Sequence, residues 1–154
     1  MKAVEINKTG GPEVLELKDI TLDKPGPDQV QIEQKAIGLN YIDTYHRSGL
    51  YPLKLPIGLG LEGAGIITDI GGNVKDFKVG DKISYAGIPL GSYSTHRNYP
   101  TKNDLDEASK IMFEKISSGK VKINIFKKYK LDQVVEAHKD LEGRKILGPA
   151  VILP

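Results

Sequence analysis

Residues 58–70 read Gly58-Leu59-Gly60-Leu61-Glu62-Gly63-Ala64-Gly65-Ile66-Ile67-Thr68-Asp69-Ile70. Gly58, Gly60 and Gly63 satisfy the spacing G-x-G-x-x-G, which in a nucleotide-binding unit cradles a pyrophosphate. That chemistry needs a buried strand before the glycines and a helix after them, because the helix N-terminus supplies N–H groups to the phosphate. Here Pro52 and Pro56 precede the glycines, and the strand-like run Gly65 to Ile70 follows them. Glu62 would also set a carboxylate among phosphates. The stretch reads as a tight corner feeding a strand, and this decides the fold towards β structure.

Working outward, glycine accounts for 17 of 154 residues and crowds the middle, at Gly58, Gly60, Gly63, Gly65, Gly71, Gly72, Gly80, Gly87 and Gly91. Glycine at that density between short apolar runs marks turns and bulges. Upstream, Ala3 to Ile6 and Val14 to Ile20 flank a turn at Thr9-Gly10-Gly11-Pro12. From Val30 to Ala36 the chain alternates, placing Val30, Ile32, Gln34 and Ala36 on one face and Gln31, Glu33 and Lys35 on a wet one. Ala64 to Ile70 reads as a more buried strand, with shorter ones at Asp81 to Tyr85 and Gly91 to Arg97. Beyond Pro100 the texture changes. Leu105, Ala108, Met112 and Ile116 predict a helix from Asn103 or Asp104 to Gly119. Val121, Ile123 and Ile125 alternate as a strand; Leu131, Val134, Val135, His138 and Leu141 form a second helical stripe; Ala150 to Leu153 closes the chain as a strand. The pattern predicts a mainly β fold with α, a partly open barrel with peripheral helices.

Composition narrows the chemistry. A chain of 154 residues fits one compact domain and leaves no room for separate dinucleotide and substrate domains. No cysteine is present, which excludes disulfides, thiolate metal sites and cysteine nucleophiles. His46, His96 and His138 lie far apart without ligand spacing, so no zinc site is expected. A net charge of +2 gives little reason to expect nucleic acid, and Lys127-Lys128-Tyr129-Lys130 reads as a solvated face. No apolar run is long enough to span a membrane and no leader is visible, so a cytoplasmic location is expected.

The segment GLNYIDTYHRSGLYP, Gly38 to Pro52, concentrates Asn40, Tyr41, Asp43, Tyr45, His46, Arg47 and Tyr51. A short helix over Tyr41 to Arg47 would let Asp43 and Arg47 pair four residues apart. It would equally give a cleft wall of phenol, amide and carboxylate groups able to orient a planar, oxygen-bearing ligand. Glu62, an acid among glycines and apolar residues, has Arg47 as a candidate partner. His138 lies on an apolar stripe and reads as a satisfied histidine at the core edge.

These motifs resemble the quinone oxidoreductase branch of the medium-chain dehydrogenase/reductase superfamily. The carriers are GGPEVL (Gly10 to Leu15), KAIGLNYIDTYHRSGLYP (Lys35 to Pro52), LPIGLGLEGAGIITDIGGNVKDFKVGDKI (Leu55 to Ile83), GSYSTH (Gly91 to His96) and the segment from Asp104 to Pro154. The resemblance implies a GroES-like catalytic domain that uses NADPH to reduce quinones or conjugated carbonyls. By that resemblance Asn40, Tyr45 and Tyr51 orient the acceptor. Asn40, Asp43 and Tyr45 lie on the nicotinamide side, with Asp43 holding either the cleft or the nicotinamide ribose. Zinc-dependent relatives place cysteine where Asn40 stands and histidine where Leu61 stands, so the resemblance is to the zinc-free branch.

The resemblance also implies an absence. Relatives insert a nucleotide-binding Rossmann domain where this chain passes from Arg97 to Thr101. Residues 1–97 and 101–154 are thus expected to be two portions of one catalytic domain, with no complete Rossmann domain between them. Independent NADPH binding is then doubtful, and activity impaired or absent in this chain alone. The alternative is a non-enzymatic module for a small planar ligand or a protein. That module would carry an apolar patch beside Tyr93 and the helix Asp104 to Ser118, and could self-associate through the surface bared by domain loss.

Overall fold

The computed structural model describes residues 1–101 and 114–154. Its organising element is the ten-residue strand β3, Gln29–Gly38. On one side β3 pairs antiparallel with β5, Glu62–Ile70, which pairs in turn with β6, Lys82–Ala86. On the other side it takes β7, His96–Pro100, along Gln29 to Glu33, and β9, Ala150–Leu153, at Ile37 and Gly38. A separate three-stranded sheet runs β2-β1-β4, from Glu16–Asp19, Lys2–Ile6 and Ile57–Gly58. The two sheets meet where Val4 N–H donates to the Tyr93 carbonyl (2.7 Å) and Thr95 N–H to the Lys2 carbonyl (2.8 Å). This open sheet with peripheral helices is the expected GroES-like, partly open barrel.

Glycine shapes the corner at residues 58–62. Gly58 ends β4, Gly60 turns with φ 90°, and β5 begins at Glu62. The glycines lead into a strand, so the phosphate-loop geometry is not formed there. A Cβ on Gly60 would sit 2.5 Å from the Tyr93 ring, so the corner is also where that ring passes.

Expected and observed strands differ in places: Gly91 to Arg97 gives way to β7 at His96–Pro100, and Val14 to Ile20 shortens to β2 at Glu16–Asp19. The alternation of β3 holds at Val30, Ile32 and Gln34, but the next buried residue is Ile37, because the register against β5 slips between Gln34 and Ala36. The bulge adds one residue and takes Ala36 off the core face. Val121, Ile123 and Ile125 form no strand, and they are 37%, 54% and 37% exposed. The strand lies instead at β8, Lys127–Lys130, parallel to β9, because β9 offers ladder partners to those four residues, Lys127 opposite Ala150 through Lys130 opposite Leu153. The basic run expected to be a solvated face is this strand, with Tyr129 buried.

Helix α1 spans Tyr41–Ser48 and helix α2 spans Val134–Glu142. Buried Val134, Ala137, His138 and Leu141 give α2 the expected stripe at helical spacing. The helix expected from Asn103 or Asp104 lies mostly outside the described residues; residues 114–117 are helical, and Gly119 follows at φ 73°. The larger core joins β1, the end of β3, Tyr93, α2, β8 and β9, and so gathers the first and last parts of the chain. A smaller one packs Val30, Ile32, Ile67, Val74, Tyr85 and Tyr99.

Candidate functional site

The β3–α1 turn builds the site. Asn40 is extended (φ −127°, ψ 152°), and its backbone N–H donates to Asp43 Oδ2 at 2.9 Å, closing the first helical turn. Gly49 ends the helix in the left-handed region at φ 86°. The eight residues between divide by face. Asp43, Thr44, His46 and Arg47 are buried, while Tyr41 and Tyr45 are exposed.

Tyr45 and Tyr51 stand edge to face with ring centroids 5.6 Å apart, fixed by Tyr51 N–H donating to the Tyr45 carbonyl (3.2 Å). They are 38% and 47% exposed, so both rings present themselves at the surface. Behind them His46 packs 5.9 Å from the Tyr51 ring, with burial lowering its pKa and Nδ1 without a partner.

Asn40 sits between two acids. Its side-chain Nδ2 donates to Glu62 Oε1 at 2.9 Å, while its backbone serves Asp43. Glu62 reaches this position because residue 38 is glycine; a Cβ there would lie 1.7 Å from Glu62 Oε1. Next to the carboxylate runs a groove of about 380 Å³ across β6, β5, β3 and β9, floored by small residues including Ala36, Ala64, Ser84 and Ala86.

Beneath α1 lies a buried polar chain. The Tyr93 hydroxyl donates to Asp43 Oδ2 (2.9 Å) and lies 3.1 Å from His138 Nε2. His138 Nδ1 is 3.3 Å from Arg47 Nη1, and Arg47 Nη2 meets Glu142 Oε1 at 2.5 Å. Burial is the main cause that raises Asp43 to about 6, opposed by the Asn40 N–H and the Tyr93 hydroxyl and reinforced by the Glu62 charge. Burial also pushes the Tyr93 phenol well up, and burial with the Arg47 charge pushes His138 down to about 3.

The residues singled out in the sequence fall into two groups, the Tyr45–Tyr51 ring pair with His46 and the network of Asn40, Asp43, Glu62, Arg47 and His138, and the partners differ from those expected. Asp43 and Arg47 do not pair as expected: Arg47 is drawn to α2 and Glu142, and Asp43 to Tyr93. Glu62 is held by Asn40, not by Arg47. Asp43 is fully buried. His138 is indeed satisfied, with both ring nitrogens within reach of partners. Tyr93, beside which an apolar patch was expected, is itself fully buried, and the helix expected beside it lies largely outside the described residues. Sequence reading did not find Tyr93 and Glu142 as partners of the site, since no local spacing links residues 50 and 95 positions from Asp43 and Arg47. Among the described residues no group of histidines and acids is placed to hold a metal ion, and no helix is long and apolar enough to cross a membrane.

Residues 26–109 match the family model of the alcohol dehydrogenase GroES-like domain. The chain belongs to that family. Within it the likeness is to quinone oxidoreductases. This GroES-like domain is 44% identical over 126 residues to a quinone oxidoreductase of Pseudomonas aeruginosa, covering 76% of this chain and 39% of that protein. It is 40% identical over 104 residues to a 2-haloacrylate reductase of a Burkholderia species, covering 65% of this chain and 31% of that protein. The solved Escherichia coli quinone oxidoreductase, complexed with NADPH, superposes with a TM-score of 0.63 at 36% identity over 84% of this chain and 44% of that one. The chain thus spans about two fifths or less of the curated relatives it matches.

Proposed function

We propose that this GroES-like domain carries the acceptor side of a zinc-free quinone oxidoreductase site and lacks the grip on the dinucleotide. The observation that carries the reading is the exposed Tyr45–Tyr51 ring pair at the end of the helix that Asn40 caps, in a chain similar to quinone oxidoreductases. Two phenols and an amide suit a flat ligand bearing carbonyl oxygens: the rings offer faces and edges, and the hydroxyls donate. Asn40, Tyr45 and Tyr51 orient the quinone or conjugated carbonyl compound. Asp43, buried under Asn40, holds the cleft instead of touching the nicotinamide ribose.

NADPH fits only in part. When bound, it would supply a hydride for the acceptor, and Asn40 and Tyr45 are the residues that would hold its nicotinamide. Its pyrophosphate needs a glycine loop that opens a helix, and the Gly58 to Gly63 corner opens β5. Residues 1–97 and 101–154 are on this reading two portions of one catalytic domain, without the nucleotide-binding domain between them. The pairing of both β7 and β9 with β3 supports that assignment. Reduction by this chain alone is therefore impaired or absent.

The acceptor side is tested by titrating 1,4-naphthoquinone and following the Tyr45 and Tyr51 ring signals by NMR. Both are expected to shift in a saturable way, and Tyr45→Ala is expected to abolish the shift at Tyr51. Absence of any shift in the folded wild type would sink the reading.

A second reading, a protein-interaction module, draws support from the exposed Val121, Ile123, Ile125 and Phe126, which Lys120 precedes and Lys122 interrupts. It predicts self-association that sedimentation velocity detects and that Ile123→Asp removes.

A further inference from the structure

We infer that His138, on the C-terminal helix α2, is a positioning residue for Asn40, acting through Tyr93 and Asp43. This rests on the reading of Asn40 as part of the acceptor side. The chemistry of the partners fixes the direction of every bond in the chain. A guanidinium has only donors, so Arg47 Nη1, 3.3 Å away, donates to His138 Nδ1. The imidazole proton must then reside on Nε2, which faces the Tyr93 oxygen at 3.1 Å and donates to it. With its oxygen so occupied, the Tyr93 hydroxyl turns its own proton to Asp43 Oδ2 at 2.9 Å. The same Oδ2 accepts the Asn40 backbone N–H, also at 2.9 Å.

The groups from Asp43 to His138 are all fully buried, and Arg47 is 2% exposed. None can rotate to water for a substitute partner, so loss at one point propagates to the next. Asp43 Oδ1 has no partner at all, which leaves Oδ2 with the whole task of fixing the carboxylate. Tyr93 sits at the join of the two sheets, and the corner at Gly60 is shaped around its ring. Asn40 is at the far end, its backbone fixed by Asp43 and its amide by Glu62. A residue nearly a hundred positions downstream thereby sets the entry of the helix that carries Tyr45.

The test reads the Asn40 backbone amide by NMR in the intact chain. In the wild type that proton is expected far downfield, as a donor to a carboxylate, and to titrate with Asp43 at a midpoint near 6. His138→Leu and Tyr93→Phe are each expected to move the shift and the midpoint. His138→Gln, whose amide N–H can serve Tyr93 and whose oxygen can accept from Arg47, restores the wild-type signal. Val134→Ala, a comparable core loss on the same helix, leaves it unmoved. The inference fails if folded Tyr93→Phe or His138→Leu leaves Asn40 unchanged, or if Val134→Ala moves it equally. Neither outcome depends on quinone binding, so failure of the positioning role is distinct from failure of the acceptor-side reading.

Discussion

Asp43 is a buried acid with one bonded oxygen and one without a hydrogen-bond partner. Asp43 is held at about 6 against an ordinary 3.8, so between those values the folded state binds a proton that the unfolded state releases. Its contribution is fully present below about 3.8 and is lost as pH rises through about 6. Asp43→Asn carries no such charge. The stability of Asp43→Asn relative to the wild type should therefore rise between about pH 4 and pH 7, by no more than roughly 3 kcal/mol. Thermal melts across that range check it, and a pH-independent difference would contradict it. His138 runs the other way: with its folded value near 3 and an unfolded one near 6.5, its contribution is present above about 6.5 and fades as pH falls towards 3. It is common to both proteins and largely cancels in the comparison. At this scale the sequence is half legible. Residue types that can orient a carbonyl ligand, Asn40, Tyr45 and Tyr51, stand close together in the chain. Their supports do not, because Arg47 and Asp43, four apart, pair with residues distant in the chain and not with each other.

At the scale of elements, the joints carry the site. Gly38 is the point where β3 lets the Glu62 carboxylate pass, and Gly38→Ala would drive a Cβ into Glu62 Oε1. We expect it to break the Asn40–Glu62 bond and to cost on the order of 2 kcal/mol by chemical denaturation. One α1–α2 joint is the Arg47–Glu142 pair, with one partner buried and the other 39% exposed, beside the Tyr41 hydroxyl that donates to the Leu141 carbonyl. Glu142→Ala leaves the buried guanidinium short of its counter-charge; the exposure of the carboxylate limits the cost to about 1–2 kcal/mol. Loss of less than a few tenths would show the joint to be slack. Element type followed from periodicity wherever one face meets a core, as in β3 and in the stripe of α2. It failed where a ladder partner decides. Lys120 to Ile125 alternates better than Lys127 to Lys130, yet β9 pairs with the latter. Local pattern carries no information about which stretch a distant four-residue strand will reach, nor about the slip in β3 that moves Ala36 off the core face.

The whole molecule joins its two ends. Strands β8 and β9 and helix α2, from the last part of the chain, complete the core begun by β1 and the sheet led by β3. That closure suits a catalytic domain able to stand without an inserted nucleotide-binding domain, since β7 and β9 both reach β3 directly. The glycine-rich corner feeds β5, so Gly58 to Gly63 open no helix N-terminus towards a pyrophosphate. The most direct test is a titration of the purified chain with NADPH, read by nicotinamide fluorescence and followed by an assay of naphthoquinone-dependent NADPH oxidation. No saturable binding at concentrations up to roughly 100 μM, an affinity weaker than about −5.5 kcal/mol, and no turnover are expected. Saturable micromolar binding with turnover that disappears in Tyr45→Phe, Tyr51→Phe would contradict the absence of a dinucleotide grip.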